Sequence, residues 1–432
     1  MLSALAQLRL LGAVAGADGS ATGYKALVCL FLSGGNDANN VIVPSDATGY
    51  AAYAAARTTL ALPRADLLPI TPFSADGRAF GLHPSMTALR DLFVGGKAAL
   101  LANVGTLVVP TTRAQYNARS VPLPPQLFSH NDQQVQWQSS VPDRPFTTGW
   151  GGRLADLTNA FNDNPRLSMS ISLDGQNSFE VGNQVAQFTV SRNGVVNLLG
   201  TGGGAGKVRL DTLKAILGQS GDGLFETAFG SASASAIDTS VALGAALGAV
   251  PDTGVVFPTG SLGDQLKTIA RLIAVAPQFG LRRQVFFARL GGWDLHDNQV
   301  TAHASLLGNI SDAMKAFYYA TAVMGCADQV TTFTASDFGR TFNTNGDGSD
   351  HGWGSHHLVV GGAVRGGDIY GTVPTLEING PDDTGRGRWI PTTSVDEYSA
   401  TLARWFGVSE TDLPMVLPNI NRFARPNLGF MG

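Results

Sequence analysis

Residues 25–40 read KALVCLFLSGGNDANN and join a continuous apolar run to a glycine turn and a group of polar side chains. A run that is apolar on both faces favours a buried strand of a parallel sheet. The glycines then turn the chain and leave polar side chains at the carboxyl end of the strand. Ligands bind outside such strand ends in open α/β sheets. The stretch therefore predicts an α/β protein with its site at one edge of the sheet.

The same pattern, a buried strand followed by a polar loop that contains glycine, recurs three times, at residues 97–105, 284–290 and 329–335. Segments with apolar residues at helical spacing are found at residues 84–93, 262–276, 305–323 and 396–408. Strands that alternate with helices need crossover connections, which give a largely parallel sheet. We therefore expect the four polar loops to meet on one edge.

The composition argues against two classes of function. The 432 residues carry a net charge of −4 and lack a Lys/Arg-rich run, so we expect no nucleic-acid surface. No stretch reaches the roughly 20 apolar residues of a transmembrane helix, so we expect no transmembrane segment. Cys29 and Cys326 lie in or beside apolar runs and are expected to be buried thiols that pack as small hydrophobic side chains.

The sequence predicts one long domain with two distinctive segments. Residues 1–23 are apolar and rich in small residues, which indicates an export-signal remnant or, alternatively, a first helix packed on the body. Export would place the protein in the periplasm or outside the cell. Residues 24–432 are expected to form a single domain with a Gly/Ala/Ser-rich insertion at about 195–260. This insertion could be helical or a lid that faces a partner.

Acidic side chains follow three of the predicted strands. Asp37 lies just after the first strand, and Asp294 and His296 lie two residues apart in GGWDLHDNQ, where both can reach one ion. Asp337 follows the fourth strand, and Arg340 could bind an anionic substrate or pair with Asp337. The structural alternatives are an Asx turn at Asp37, a helix cap in the second loop and an Asp–Arg pair in the third.

Histidines are concentrated late in the chain, since five of the seven lie between residues 296 and 357. The segment DGSDHGWGSHH (347–357) supplies Asp350 and His351, and we expect His351 to face the site. His356 and His357 begin an apolar run, so at least one of them should point away. Carboxylate and imidazole ligands without thiolates suit a divalent metal, either Zn²⁺, Mn²⁺ or Fe, or else Ca²⁺ or Mg²⁺ if the histidines stand back.

A further candidate segment is FSHNDQQVQWQ, residues 128–138. Ser129 could be a nucleophile activated by a metal, or it could cap the helix that follows. Its neighbours His130 and Asp132 do not make a catalytic triad by adjacency, because triads assemble in space.

Taken together, these segments resemble the bacterial DUF1501 family. The segments that carry the resemblance are YKALVCLFLSGGNDANNVIVP, the Ser-His step at 129–130, GGWDLHDNQ, SDFGRT, GGAVRGGDIYG and DEYSATLARWFGV. The resemblance covers nearly the whole chain from Tyr24. The family is similar to the alkaline phosphatase and sulfatase superfamily and is commonly exported by the twin-arginine route. It implies an alkaline-phosphatase-like, three-layer α/β/α sandwich with a mostly parallel central sheet.

The resemblance also implies a set of metal ligands. The positions that match the superfamily's ligands are, in chain order, Asp37, Asp294, His296, Asp337 and His351. Phe338 stands where a histidine is expected after Asp337. This departure leaves one ion, an atypical pair of ions or no ion as alternatives.

The sequence thus predicts an exported metal-dependent hydrolase or transferase of phosphate or sulfate esters, with a small molecule or a glycan as substrate. Ser129, His130 and Arg340 are the catalytic candidates. The main alternative is a non-catalytic surface or matrix protein, with a structural metal or none, that assembles with copies of itself. A third hypothesis is carbohydrate binding by tryptophans near the polar loops, namely Trp150, Trp293 and Trp353.

Overall fold

The computed structural model describes residues 23–74, 77–163, 165–195, 198, 200–201, 203–219 and 223–432. The predicted export signal at residues 1–23 therefore lies almost wholly outside the described residues. The strands of the described part are β1 (Lys25–Leu32), β2 (Ile42–Pro44), β3 (Leu68–Ile70), β4 (Phe80–Leu82), β5 (Ala98–Gly105), β6 (Ser170–Ser172), β7 (Phe188–Thr189), β8 (Arg283–Leu290), β9 (Val330–Ser336), β10 (Arg340–Thr344), β11 (Ser349–His351), β12 (Ser355–Gly361), β13 (Ile369–Gly371) and β14 (Thr393–Ser394). The α-helices there are α1 (Ala47–Arg57), α2 (Thr87–Val94), α3 (Arg113–Ala118), α4 (His130–Ser139), α5 (Trp150–Thr158), α6 (Gly203–Leu217), α7 (Leu224–Ala249), α8 (Ser261–Val275), α9 (Gln299–Val323), α10 (Val395–Phe406) and α11 (Leu413–Val416).

The central sheet has the strand order β13-β5-β12-β9-β1-β8-β6-β7, with β14 paired to β5. Strands β9, β1, β8, β6 and β7 run parallel to one another, whereas β12 runs antiparallel to both β9 and β5. Because β12 is antiparallel to both of its neighbours, β5 runs in the same direction as β9 and β1. The predicted mostly parallel sheet is confirmed, and the carboxyl ends of the four predicted strands lie on one edge.

Helices cover both sides of this sheet, which confirms the predicted three-layer α/β/α sandwich. On one side α9 packs against α2 and α8, and on the other α5 packs against α4 and α11. The amphipathic helix α8 buries Leu262, Leu266, Ile269 and Ile273, so the helical spacing seen in the sequence is the face that meets the sheet. No helix of the described part is both long and apolar enough to cross a membrane.

The core forms around β1, whose residues from Ala26 to Leu32 are all buried. This is the packing that a strand apolar on both faces requires. Cys29 is buried within the strand as predicted, whereas Cys326 is only partly buried. The Gly/Ala/Ser-rich insertion contains the helices α6 and α7, which pack against each other.

Candidate metal centre

Several loops meet at the carboxyl edge of the sheet and bring together side chains from distant parts of the chain. Asp294 and His296 lie between β8 and α9, and Asp337 directly follows β9. His351 ends β11, a strand of the small β10–β11 hairpin. His130 is the first residue of α4.

Three of these side chains point at one another. The Nε2 atoms of His130 and His351 lie 3.1 Å apart. Asp294 Oδ1 lies 3.2 Å from His351 Nε2, and Asp294 Oδ2 lies 3.4 Å from His130 Nε2. Tetrahedral coordination with bonds of about 2.0–2.1 Å separates neighbouring ligand atoms by about 3.3–3.4 Å. Each of these three separations is close to that value, although the two to Asp294 involve different oxygens of its carboxylate, and one ligand atom from each residue lies within 4.8 Å of the other two.

Hydrogen bonds on the far side of each ring fix how the two imidazoles are presented. His351 Nδ1 donates to the carbonyl of Phe128 at 2.8 Å, and a carbonyl can only accept. His130 Nδ1 contacts Asp337 Oδ2 at 2.6 Å. When neutral, both rings therefore direct the Nε2 lone pair towards Asp294. Metal-bound histidines characteristically donate their other ring nitrogen to a carboxylate or a carbonyl in this way.

The protonation of these groups follows from their neighbours. The hydrogen bond to Asp337 is the largest cause of the raised pKa of His130, whereas burial lowers the pKa of His351. Burial raises the pKa of Asp294, but the hydrogen bond and the charge of Arg340 outweigh it and lower that pKa below its ordinary value. Asp294 is therefore held as a carboxylate, the form that binds a metal.

His296 and Asp350 lie at the border of this cluster. His296 Nε2 is 2.9 Å from Asp294 Oδ1 and 3.1 Å from His351 Nε2. Asp350 Oδ1 lies 3.5 Å from His296 Nδ1, and its other oxygen pairs with Arg386 at 2.5 Å. Asp350 thus lies behind His296 rather than facing the three converging ligand atoms, and a metal-ligand role for either residue stays a prediction.

Arg340 contacts the centre through Asp294. Its guanidinium is buried and donates from Nη1 to Asp294 Oδ1 at 2.6 Å, and it also bonds the backbone carbonyls of Gly34 and Ser349. It pairs with Asp294 and not with Asp337, which binds His130 instead. This arrangement orients the Asp294 carboxylate, and a substrate anion would have to displace these bonds to reach the arginine.

Asp37 and Ser129 have other partners. Asp37 is buried, and its oxygens accept hydrogen bonds from Arg57, Gln299 and Asn39. Ser129 precedes α4, and its Oγ donates to Asp132 Oδ2 at 2.6 Å. A metal-ligand role for Asp37 and a nucleophilic role for Ser129 stay predictions.

Phe338, at the position where a histidine was expected, forms an apolar wall of the centre. Its ring centroid lies 4.8 Å from that of His130 and 4.7 Å from that of His351. The side chain is buried. Phe338 therefore restricts the motion of both imidazoles instead of supplying a ligand.

The glycine turn after β1 allows the loops to approach this closely. Gly34 has φ +125°, and a Cβ there would lie 2.4 Å from the backbone nitrogen of Asp294. A larger residue would therefore push the Asp294 loop away from the sheet.

The sequence did not indicate which groups orient the ligands. It also led to the prediction that three tryptophans present their ring faces to a sugar. The carbonyl of Phe128 is available because this residue has φ +74°, which no residue-type pattern indicates. Trp150, Trp293 and Trp353 are buried, so the hypothesis that their faces stack on sugars is wrong. His356 and His357 are both buried in β12, as expected for at least one of them.

The sequence of the part that carries most of this site matches a known family. The model described as "Protein of unknown function (DUF1501)" matches residues 278–410. These residues have the DUF1501 pattern. The resemblance predicted from the sequence is thus confirmed for residues 278–410, which include Asp294, His296, Asp337 and His351. The earlier segments that also suggested it, with Asp37 and His130, lie outside the match. No curated protein shows significant sequence similarity to the chain.

Solved structures align with this chain at low identity. The structure of Ps i-CgsB in complex with k-i-k-neocarrahexaose has a TM-score of 0.36 and 10% identity, covering 94% of this chain and 77% of that one. The PsFucS1 sulfatase from Pseudoalteromonas sp. has a TM-score of 0.37 and 10% identity, covering 91% and 69%. The phosphonate monoester hydrolase of Agrobacterium radiobacter has a TM-score of 0.29 and 11% identity, covering 90% and 77%.

Proposed function

We propose that this protein is a metal-dependent hydrolase or transferase of phosphate or sulfate esters. The observation that carries the proposal is the convergence of His130 Nε2, His351 Nε2 and the Asp294 carboxylate within 3.4 Å. Two imidazole lone pairs and a carboxylate repel one another at this distance unless a cation or a shared proton lies between them.

The donor set fits a transition-metal ion. Two imidazole nitrogens and one carboxylate oxygen suit Zn²⁺ or Mn²⁺ better than Ca²⁺ or Mg²⁺, which prefer sites made only of oxygen. The side chain of Asp294 is 44% exposed, so the centre lies at the surface and a substrate can approach it. Catalytic metal sites keep one coordination position open for water or substrate, whereas structural sites have all positions filled by protein ligands.

The bound ion would supply Lewis acidity and an activated hydroxyl nucleophile. The chain's own residues would bind the ion, orient its ligands and transfer protons. His130, His351 and Asp294 hold the ion, while Asp337 and the Phe128 carbonyl hold the rings. His296 has the most exposed ring of the cluster, at 44% against 28% for His130 and 24% for His351, which supports the proposal that it passes a proton to a leaving oxygen.

Small-molecule and glycan esters are the substrates we propose, and the export-signal-like composition of residues 1–23 supports a location in the periplasm or outside the cell.

Metal analysis followed by an ester screen tests this proposal. The purified chain should retain stoichiometric Zn²⁺ or Mn²⁺ after desalting, and His351→Ala should lose it. Asp211→Asn, a change in an exposed ion pair with Lys207, is the matched control and should retain the metal. The wild type should hydrolyse aryl phosphates or aryl sulfates, and a chelator should abolish the reaction. A chain that binds no ion at this centre would refute the proposal.

A second candidate function, self-assembly without catalysis, is favoured by one observation. Phe225 and Phe229 on α7 are 88% and 70% exposed, and Val208 and Ile216 on α6 are 65% and 58% exposed. Apolar surface of this kind often marks a protein contact. Light scattering would show the double variant Phe225→Ser/Phe229→Ser as a smaller species than the wild type. Phe73→Ser, which removes an exposed phenylalanine outside the insertion, should leave the molecular mass unchanged.

A further inference from the structure

Asp37 occupies the same edge of the sheet as the other candidate ligands, yet a fixed cation of the chain already neutralises it. Arg57, the last residue of α1, places its guanidinium against Asp37 Oδ2. Both side chains are almost fully buried, at 0% and 1% exposure. A buried carboxylate of this kind requires a positive partner, and here that partner is an arginine side chain rather than a bound ion.

The guanidinium is held in place independently of Asp37. Arg57 Nη1 donates to the carbonyls of Thr341 and Phe342, both at 3.1 Å. Its position is therefore fixed by the backbone of β10, the strand whose partner β11 ends at His351. A metal ion at Asp37 would lie beside an arginine that cannot withdraw without breaking these bonds.

Both oxygens of Asp37 accept further hydrogen bonds. Gln299 donates to Oδ2 and Asn39 donates to Oδ1 at 3.1 Å. Gln299 in turn accepts from Ser349 Oγ at 2.6 Å, and Arg340 bonds both Ser349 and Asp294. The path from Asp37 to the centre thus runs through the amide of Gln299, then Ser349, whose hydroxyl and backbone carbonyl both accept from Arg340, and then that second guanidinium.

Each of the two carboxylates is therefore matched by its own arginine, Asp37 by Arg57 and Asp294 by Arg340. Only Asp294 also faces imidazole lone pairs and solvent. We infer that the centre binds one ion per chain, and that the Arg57 guanidinium takes the place that a second ion would hold at Asp37. This inference rests on the proposed metal binding and adds the number of ions and the exclusion of Asp37 as a ligand.

Metal stoichiometry of the full-length chain tests the inference without reference to activity. The wild type is loaded with excess Zn²⁺, desalted and measured by mass spectrometry of the metal, and Mn²⁺-loaded protein is examined by electron paramagnetic resonance. We expect about one ion per chain and the spectrum of an isolated Mn²⁺. Asp37→Asn should keep that ion, because the amide still accepts a hydrogen bond from Arg57, while Asp294→Asn should lose it.

The outcomes separate the two proposals. Two ions per wild-type chain, or a spin-coupled Mn²⁺ pair, would overturn the inference and leave the proposed function standing. No bound ion in the wild type would overturn both. Because the wild-type measurements decide the number of ions, the inference stays testable if Asp37→Asn does not fold.

Discussion

The Nε2 atoms of His130 and His351 lie 3.1 Å apart, although 221 positions separate the two residues in the sequence. His351 cannot release its Nδ1 proton without losing its bond to the Phe128 carbonyl. Its Nε2 is therefore an acceptor that faces a second imidazole. A proton or a metal ion must occupy this contact, and the two compete for the same lone pairs.

Asp337 is expected to control metal affinity without touching the ion. Asp337→Asn removes the charge that holds His130 Nδ1 at 2.6 Å. Changes of this type lower metal affinity by about 10–100-fold. Titration calorimetry with Zn²⁺ would measure the loss. Asp91→Asn, which breaks a surface pair with Lys315, is the control and should bind as the wild type does. Equal affinities in all three proteins would contradict the role assigned to Asp337.

Gly34 is expected to be indispensable for the position of Asp294. Gly34→Ala forces a non-glycine residue to φ +125° and places its Cβ 2.4 Å from the Asp294 nitrogen. The free energy of unfolding should fall by roughly 1–3 kcal/mol from backbone strain, and by more from the clash. Urea denaturation would measure it. Ser33→Ala changes the neighbouring residue without either problem, and a similar loss in that variant would argue against this explanation.

Phe338 is expected to stabilise the fold and the two rings that it contacts. Phe338→Ala leaves a cavity at a buried site and should lower the free energy of unfolding by about 3–5 kcal/mol. Phe73→Ala, at a side chain that is 81% exposed, should change it by less than about 0.5 kcal/mol. Chemical denaturation of both variants is the measurement, and an unaffected Phe338→Ala would show that the contacts with His130 and His351 contribute little.

Stability should depend on pH through Glu180, which has no role in the proposed chemistry. Burial raises the pKa of Glu180 to about 8, while Asn177 donates to its Oε2 at 2.8 Å. Between pH 5 and 8 the folded chain keeps a proton that the unfolded chain has lost. The contribution of Glu180 is therefore complete below pH 4.5 and falls as the pH rises towards 8.

Glu180→Gln removes this titration while preserving the shape of the side chain. The free energy of unfolding of the variant should fall less than that of the wild type between pH 5 and 8, by about 1–4 kcal/mol. Denaturation at several pH values would show the difference. Glu410→Gln, at an exposed position, should follow the wild-type curve.

The fold was predictable because its central strands are continuous apolar runs that can be recognised in the sequence. The apolar run at 25–32 coincides with β1, and the other three predicted strands begin or end within one residue of β5, β8 and β9. Burial on both faces leaves no polar position in β1 after Lys25, so its sequence alone identifies a central strand. Helix α9 begins earlier than predicted, at Gln299, because the polar residues of its first turn hide the helical periodicity.

The centre was predictable only in part. Asp294 and His351 were expected as ligands, since strand-end loops of parallel sheets share an edge. His130 was expected to act in catalysis beside Ser129 and was not predicted as a ligand, because it begins a helix and follows none of the predicted strands. The pairing of Asp37 with Arg57 depends on how α1 packs against β10, and nothing in the sequence AAYAAAR shows which residue the arginine will meet.

The reversed direction of β12 has a consequence for how this region can change. The chain leaves the sheet after Ser336 and re-enters it at Ser355, on the same side of the molecule. The intervening stretch, with its own hairpin of β10 and β11, is an outgrowth whose two ends are anchored next to each other. Residues inserted in the turn of this hairpin, between Thr344 and Ser349, would lengthen it without rerouting any strand of the sheet, whereas Arg340 and His351 at its base must keep their positions for the proposed centre to form.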